Sequence, residues 1–133
     1  MNYGPAKRTV IVREYLLDVG KIQVYDNYMV AIFDEGATLT LERAYQIIGI
    51  SEIHFREKNF GLISLRTHSI AIDPIVYTYL RELENLKAFA IVSSKDVDMH
   101  NFPIEKMFYK KPMKFFIDYK NALDWVRKRL NQN

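Results

Sequence analysis

The sequence contains no cysteine, which excludes disulfides, thiolate metal sites and a cysteine nucleophile. Its five glycines are scattered, so neither a phosphate-binding loop nor a dinucleotide-binding glycine fingerprint can be built. No run approaches the roughly 18 apolar residues of a membrane span, and the start, "MNYGPAKRTVIVREY", lacks the apolar core of a signal peptide. We therefore expect a cytoplasmic protein that does not span a membrane and uses no cofactor.

The length and composition indicate a single globular domain. With 133 residues, of which 49% are apolar and 26% charged, the chain is long enough to bury one core. No repeat, low-complexity tract or linker divides it. We expect residues 1–133 to form one domain, with residues 1–7 as a flexible tail.

Positive charge is concentrated toward the end of the chain. From Lys106 onward there are eight Lys/Arg and two Asp/Glu, a net of +6, whereas the first 105 residues carry eleven and fourteen, a net of −3. A basic segment attracts nucleic acid, anionic lipid or an acidic protein surface. However, no nucleic-acid recognition motif accompanies it, and Arg127, Lys128 and Arg129 suit the negative end of a closing helix. We do not expect nucleic acid as a partner.

The first third of the chain predicts three strands and a helix. Residues 8–18 are rich in β-branched and aromatic residues, and turns at "VG" and "DN" lead into the strand segments "KIQVYDN" and "YMVAIFDE". In the next segment Thr38 or Thr40 can cap a helix that Gly49 ends. The predicted inward stripe of this helix is Leu41, Ala44, Tyr45 and Ile48.

The rest of the chain alternates strands and helices. "FGLISL" and "LKAFAIVSS" are buried strands, and between them Asp73 and Pro74 suit the cap and first residue of a helix with Val76, Leu80 and Leu83 on one face. Pro103 fits a first helical turn better than a helix interior, so we predict a helix over Phe102–Tyr109.

The last strand, "MKFFID", precedes a final helix that Asp118 caps. Its predicted inward stripe is Ala122, Trp125, Val126 and Leu130. The complete order is βββαβαβαβα. It predicts a single α/β domain with a mixed sheet, a largely parallel half and helices packed on the sheet.

The turn in "SLRTHSIAIDP" concentrates residue types that carry chemistry. A hydrolase site would recruit Ser64 or Ser69 with His68 and Asp73, but neither serine has the small neighbours that a strained nucleophile turn needs. The sequence does not exclude a catalytic triad assembled from residues that are distant in sequence. We interpret Asp73 as a helix cap and predict no catalytic residue.

A metal site would use Asp96, Asp98 and His100 in "KDVDMH", because alternate residues of an extended segment point the same way. The adjacent Lys95 argues against it. We interpret the segment as a polar loop before a short helix and predict no metal site.

Three segments together resemble the STAS fold, the anti-sigma-factor-antagonist type of domain. They are the antiparallel start with "VYDNYMVAIFDEGATLTLERA", the turn "SIAIDPIVYTYL", and the ending "KPMKFFIDYKNALDWVRKRL". The closest resemblance is to small bacterial STAS/SEC14-like proteins of unknown function, and it covers nearly the whole chain. It implies a STAS-like α/β domain that regulates by binding another protein.

The resemblance also implies where a phosphorylation switch would lie. Related antagonists carry an Asp-Ser-Ser type sequence at this turn, and a partner kinase modifies one of the serines. Here Asp73 aligns with the Asp of that sequence. Pro74 and Ile75 align with its serines, and neither of them can take a phosphate. Thr67 and Ser69 lie in the same turn and are the alternative acceptors.

We therefore predict a non-enzymatic cytoplasmic protein-interaction or regulatory module without the usual serine phosphoswitch. The interaction surface is predicted at the turn and the helix that follows it. Its residues are Thr67, His68, Ser69, Asp73, Tyr77 and Arg81. Exposed strand edges and aromatic patches would also permit a homodimer.

The alternative is a SEC14-like protein that binds a lipid or small apolar ligand. The ligand would lie between the helix at 102–109 and the sheet, and the residues that would face it are Lys106, Met107, Lys110 and Lys111. In the competing interpretation this helix simply covers the sheet, with its lysines in solvent.

Overall fold

The computed structural model describes residues 10–131. The tail expected at residues 1–7, and the first two residues of the strand expected at 8–18, lie outside this range. The described chain forms β1 (Arg13–Leu17), β2 (Gly20–Val24), β3 (Tyr28–Phe33), β4 (Thr38–Leu39), α1 (Leu41–Phe55), β5 (Phe60–Leu65), β6 (Ala71–Ile72), α2 (Ile75–Leu80), β7 (Leu86–Val92), α3 (Asp96–Tyr109), β8 (Met113–Phe116) and α4 (Tyr119–Leu130).

Six strands form one mixed sheet in the order β1-β2-β3-β5-β7-β8. The first three strands are antiparallel neighbours, and β3, β5, β7 and β8 run parallel. The predicted single α/β domain with a mixed sheet is therefore confirmed. The parallel pair β4–β6 was not predicted, because a two-residue strand is too short to show an alternating pattern.

The helices cover the sheet on both faces. Each parallel connection moves one strand in the same direction along the sheet, so right-handed crossovers place α1, α2 and α3 on one face. Their core includes Phe55, Tyr77 and Tyr109. On the other face α4 packs over β5 and β7, and Val126 is fully buried there in the same hydrophobic cluster as Ile63.

The predicted caps and turns are present. Thr40 Oγ1 accepts the Arg43 N–H at 3.2 Å, and Asp118 Oδ1 accepts the Asn121 N–H at 2.8 Å. Asp73 Oδ1 accepts the Ile75 N–H at 3.1 Å, although α2 is assigned one residue later than predicted and Pro74 is already in a helical conformation. Sequence capping rules therefore located three of the four helix starts.

The prediction that Gly49 ends α1 was wrong. The helix continues to Phe55, which is 1% exposed, because Ile50 and Phe55 extend its buried stripe into the core. The orientation of the stripe also differs, since Tyr45 is 51% exposed and Ile47 is buried in its place.

The prediction that the third helix begins at Phe102 was also wrong. It begins at Asp96, six residues earlier, and Pro103 lies inside it on the exposed side. Proline removes the N–H that would bond to the Met99 carbonyl. That loss falls on the solvent side, while the opposite side buries Asp98 and Tyr109.

Candidate functional site

The turn after β5 is held in place by backbone hydrogen bonds. The Gly36 N–H donates to the Ser69 carbonyl at 3.0 Å, and the Ala71 N–H donates to the Ala37 carbonyl at 2.9 Å. The Asp73 N–H continues this ladder to the Leu39 carbonyl at 3.1 Å. The loop before α1 thus fixes the path of the turn, which is presented at the carboxyl ends of the parallel strands.

The turn and α2 share an exposed surface. Thr67, His68, Ser69 and Asp73 are exposed, as predicted for an interaction surface, and so are two apolar side chains of α2. Ile75 is 44% and Tyr79 40% exposed. We call Thr67, His68, Ser69, Asp73, Ile75 and Tyr79 the turn–α2 surface.

The two remaining residues of the predicted interaction surface lie elsewhere. Tyr77 is 1% exposed, because Val76, Tyr77 and Leu80 form the inward side of α2. It therefore does not belong to the surface. Arg81 is partly exposed, and its Nη1 donates to the Phe108 carbonyl at 3.0 Å, which joins the end of α2 to the end of α3.

A buried arginine lies directly beneath the turn. Arg66 is 3% exposed, and its Nη2 donates to the Tyr77 hydroxyl at 2.9 Å. Its Nε donates to Ser64 Oγ at 3.2 Å. Its Nη1 lies 3.5 Å from Asp98 Oδ1 and 3.2 Å from Glu105 Oε2. One guanidinium therefore joins β5, α2 and α3.

The same network reaches the end of β7. The Ser93 hydroxyl donates to Asp98 Oδ2 at 2.5 Å and accepts the Lys95 N–H at 3.0 Å. The Arg66 N–H in turn donates to the Val92 carbonyl at 2.9 Å. We call Ser64, Arg66, Tyr77, Ser93, Asp98 and Glu105 the Arg66 network.

The ionisation of the network follows from burial and charge. Burial alone would lower the pKa of Arg66, but Tyr77, Glu105 and Asp98 outweigh it and the pKa is raised. Burial raises the pKa of Tyr77, so its hydroxyl stays protonated. Burial also raises the pKa of Glu105 above 4.5, although Arg66 opposes this. Because its folded pKa is raised, Glu105 stabilises the fold most at acidic pH, and this contribution falls as the pH rises above 4.5.

Sequence reasoning missed Arg66 and Glu105. The signal was present on α3, where Asp98, Phe102, Glu105 and Tyr109 recur at the spacing of one helical face. Two acids on an otherwise aromatic buried stripe require a buried cation. The sequence does not identify that cation, since 19 Lys/Arg are candidates.

The nucleophile interpretation is not supported by the geometry. Ser64 is buried and its hydroxyl accepts a bond from Arg66, whereas Ser69, His68 and Asp73 lie in solvent. In the part of the chain that the structure describes, neither serine hydroxyl is hydrogen-bonded to a histidine or a carboxylate.

The three residues proposed as metal ligands are not brought together. Asp98 faces Arg66 inside the protein, while Asp96 and His100 are exposed. Within residues 10–131 no group of three or more His, Asp or Glu side chains could hold a metal ion.

The residues predicted to face a ligand do not surround a common space. Lys106, Met107 and Lys110 are exposed, Met107 to 70%. Lys111 Nζ donates to the Arg81 and Leu83 carbonyls at 3.2 and 2.8 Å. Burial, followed by the nearby charge of Lys87, lowers the pKa of Lys111. Lys111 therefore supplies hydrogen bonds to backbone carbonyls that follow the end of α2.

A small cavity lies between α1, α2 and the sheet. Its volume is about 20 Å³, and most of its walls are apolar, including Leu39 and Ile72 of the β4–β6 pair. Arg66 and Tyr77 line its polar end. This space accommodates about one water molecule, whereas drug-sized ligands occupy roughly 300–1,000 Å³.

Comparison of the chain with protein-family models, curated proteins and solved structures gave no significant match. Among the helices formed by residues 10–131, none has the length and apolar character needed to cross a membrane. The turn–α2 surface and the Arg66 network are therefore the features of this chain that bear on its function.

The Tyr77 hydroxyl provides a direct test of the network. We expect Tyr77→Phe to lower the free energy of unfolding by about 1–3 kcal/mol, because one Arg66 N–H loses its buried acceptor. Tyr79→Phe is the matched control, since the Tyr79 side chain is 40% exposed, and it should change stability by less than about 0.5 kcal/mol. Urea unfolding of both variants measures this difference, and equal effects would contradict the assigned bond.

Proposed function

We propose that this chain is a non-enzymatic protein-interaction or regulatory module of STAS-like type that acts in the cytoplasm. It binds a protein partner through the turn–α2 surface. Because Pro74 and Ile75 occupy the positions of the serines in the related switch, binding is not controlled by phosphorylation there.

One observation carries this proposal, namely the exposure of Ile75 and Tyr79 beside a polar turn whose backbone is fixed. Apolar and aromatic side chains surrounded by polar residues are typical of the centre of a protein interface. The six residues of α2 include no charged side chain, which fits the depletion of charge at interface centres. A fixed backbone also lowers the entropy lost on binding.

The Arg66 network supports the same proposal. It anchors the start of the turn, α2 and α3 to the ends of β5 and β7. Its polar groups bind one another, so they contribute to the position of the surface. The arrangement favours a binding module over an enzyme.

The proposal is tested by affinity purification from the native cells with three baits. The unaltered protein should recover a stoichiometric partner, and Ile75→Glu should reduce that recovery about tenfold or more. Ile117→Glu introduces the same kind of change at a residue that is 65% exposed outside the surface, and it should recover the partner normally. Repeated recovery of the bare protein, or equal recovery by Ile75→Glu, would refute the proposal.

The alternative, a SEC14-like lipid or small-ligand carrier, has less support. Phe102 packs against Phe115 and Tyr109 against Phe89, with ring centroids 5.6 and 5.1 Å apart, in the region where the ligand was expected. The cavity of about 20 Å³ beside Arg66 would have to expand many-fold to hold an acyl chain. Native mass spectrometry decides the matter, since a co-purifying lipid mass would favour the carrier.

A further inference from the structure

The outward side of α1 has an unusual composition. Its outermost line, at spacings of three and four residues, contains Glu42, Tyr45, Gly49 and Ile53 and continues to Arg56, the C-cap residue that follows the helix. Tyr45 is 51% and Ile53 70% exposed. The solvent side of a helix normally carries charged residues along its whole length. Along this line, however, charge is confined to the two ends, and the exposed Glu52 lies beside the line.

Gly49 lies at the centre of this line. Glycine inside a helix costs about 0.5–1 kcal/mol relative to alanine. A Cβ atom at Gly49 would meet nothing within 4 Å, so the packing of this chain does not require glycine there. The missing side chain leaves a notch between Tyr45 and Ile53, where a second helix can approach closely.

The residues of this line are complementary to those of a second copy of the helix that runs in the opposite direction. Tyr45 and Ile53 each lie four residues from Gly49, and Glu42 and Arg56 each lie seven residues from it. If two copies of α1 cross antiparallel at Gly49, Tyr45 lies opposite the partner's Ile53 and Glu42 opposite the partner's Arg56. Twofold symmetry forms each contact twice.

The charges at the two ends are available for such contacts. Glu42 and Arg56 are both exposed, and neither forms an ion pair within residues 10–131. Their opposite signs make the antiparallel arrangement attractive. A parallel arrangement would place Glu42 opposite the partner's Glu42 and would be repulsive.

We propose that α1 is a homodimer interface in which two copies of this chain pack antiparallel through Gly49. This interface does not rest on the proposed function, because it uses the outer line of α1 and not the turn–α2 surface. The two regions meet at Tyr45, whose ring contacts Tyr79 edge to face with centroids 6.0 Å apart. Two helices of 15 residues form an interface at the small end of the specific range, so the dimer should be sensitive to concentration and salt.

Charge reversal gives the sharpest test, with sedimentation equilibrium over a wide concentration range as the measurement. The unaltered protein should approach twice the monomer mass at high concentration. Glu42→Arg and Arg56→Glu should each weaken dimerisation about tenfold or more, because each creates two repulsive pairs. The double variant Glu42→Arg/Arg56→Glu should regain most of the affinity, since the opposite charges then face each other again.

Matched controls are Glu35→Arg and Lys128→Glu, which make the same charge changes at exposed residues away from α1 and should leave the association unchanged. A protein that stays monomeric at every concentration would overturn the proposal. So would single reversals without effect, or a double variant that is no better than either single one.

The notch at Gly49 is tested separately from the charges. Gly49→Leu fills it and should abolish the dimer while the melting temperature of the monomer is maintained or raised, because leucine is a good helix former and the site is open. Gly49→Ala adds one methyl group and should have a smaller effect on association. A dimer of unchanged affinity in Gly49→Leu would show that the helices do not cross at this residue.

Discussion

Replacing Arg66 by methionine is expected to lower the free energy of unfolding by about 3–5 kcal/mol, because it leaves buried carboxylates without their cation. Asp98 is 5% exposed and the Glu105 side chain 12% exposed, so water cannot replace the guanidinium at either group. The Tyr77 hydroxyl and Ser64 lose a donor at the same time. Chemical unfolding of the variant at neutral pH measures this loss.

Arg81→Met is the matched control for this experiment. It removes the same guanidinium from a partly exposed position, where Glu82 is an exposed partner at 3.9 Å, so it should cost no more than about 1 kcal/mol. The loss of stability in Arg66→Met should shrink as the pH falls through the range in which the Glu105 carboxyl, left without its cation, takes up a proton. Equal losses in the two variants, or a loss independent of pH, would contradict the assigned network.

Gly20→Ala is expected to lower the free energy of unfolding by about 3 kcal/mol or more, through backbone strain added to a steric clash. Gly20 has a φ of +145°, which side-chain-bearing residues rarely adopt, and its Cβ would lie 2.1 Å from the Ile32 carbonyl oxygen. That oxygen belongs to the backbone of β3 and cannot move without disturbing the sheet.

Gly36→Ala isolates the strain from the clash. Gly36 also has a positive φ, of +75°, but a Cβ there would meet nothing within 4 Å. It should cost about 1–2 kcal/mol from strain alone. Thermal unfolding of the two variants gives the difference. If Gly20→Ala proved no worse than Gly36→Ala, the described approach of β2 to β3 would be incorrect.

The α/β fold was predictable because its signals are local. The turns "VG" and "DN" and the caps Thr40 and Asp118 each act within a few residues of themselves, and the structure contains all of them. Glycine at position 20 was likewise recognisable as a turn residue. The sequence did not reveal that a Cβ atom at this position would meet the Ile32 carbonyl, because that closeness arises from the pairing of β2 with β3.

The Arg66 network was not predictable because it joins residues that are distant in sequence. Arg66 and Glu105 are 39 residues apart, and their contact exists only because the folded chain brings the residue after β5 next to α3. The same network explains the error at the start of α3. Asp98 and its neighbours have the sequence of a polar loop. Burial of the Asp98 carboxylate against Arg66 and Ser93 instead favours a helical conformation for this segment.

Most residues of the predicted interaction surface are exposed, but Tyr77 is buried. The exposure of Thr67, His68, Ser69 and Asp73 follows from their polar character and turn position. Tyr77 was assigned to the surface because it lies one helical turn after Asp73. On this short helix, however, it shares the inward face with Val76, and its hydroxyl is satisfied by the buried Arg66.

Hydrogen exchange of the protein with and without its purified partner shows whether the turn–α2 surface binds that partner. We predict that amides of residues 67–81, which carry the turn–α2 surface, gain protection on binding. When the dimer is blocked by Gly49→Leu, partner binding should not change the exchange protection of amides in the outer line of α1 or in α4. Protection confined to α4 or to the α1 line, with residues 67–81 unchanged, would contradict the proposal that the turn–α2 surface binds the partner.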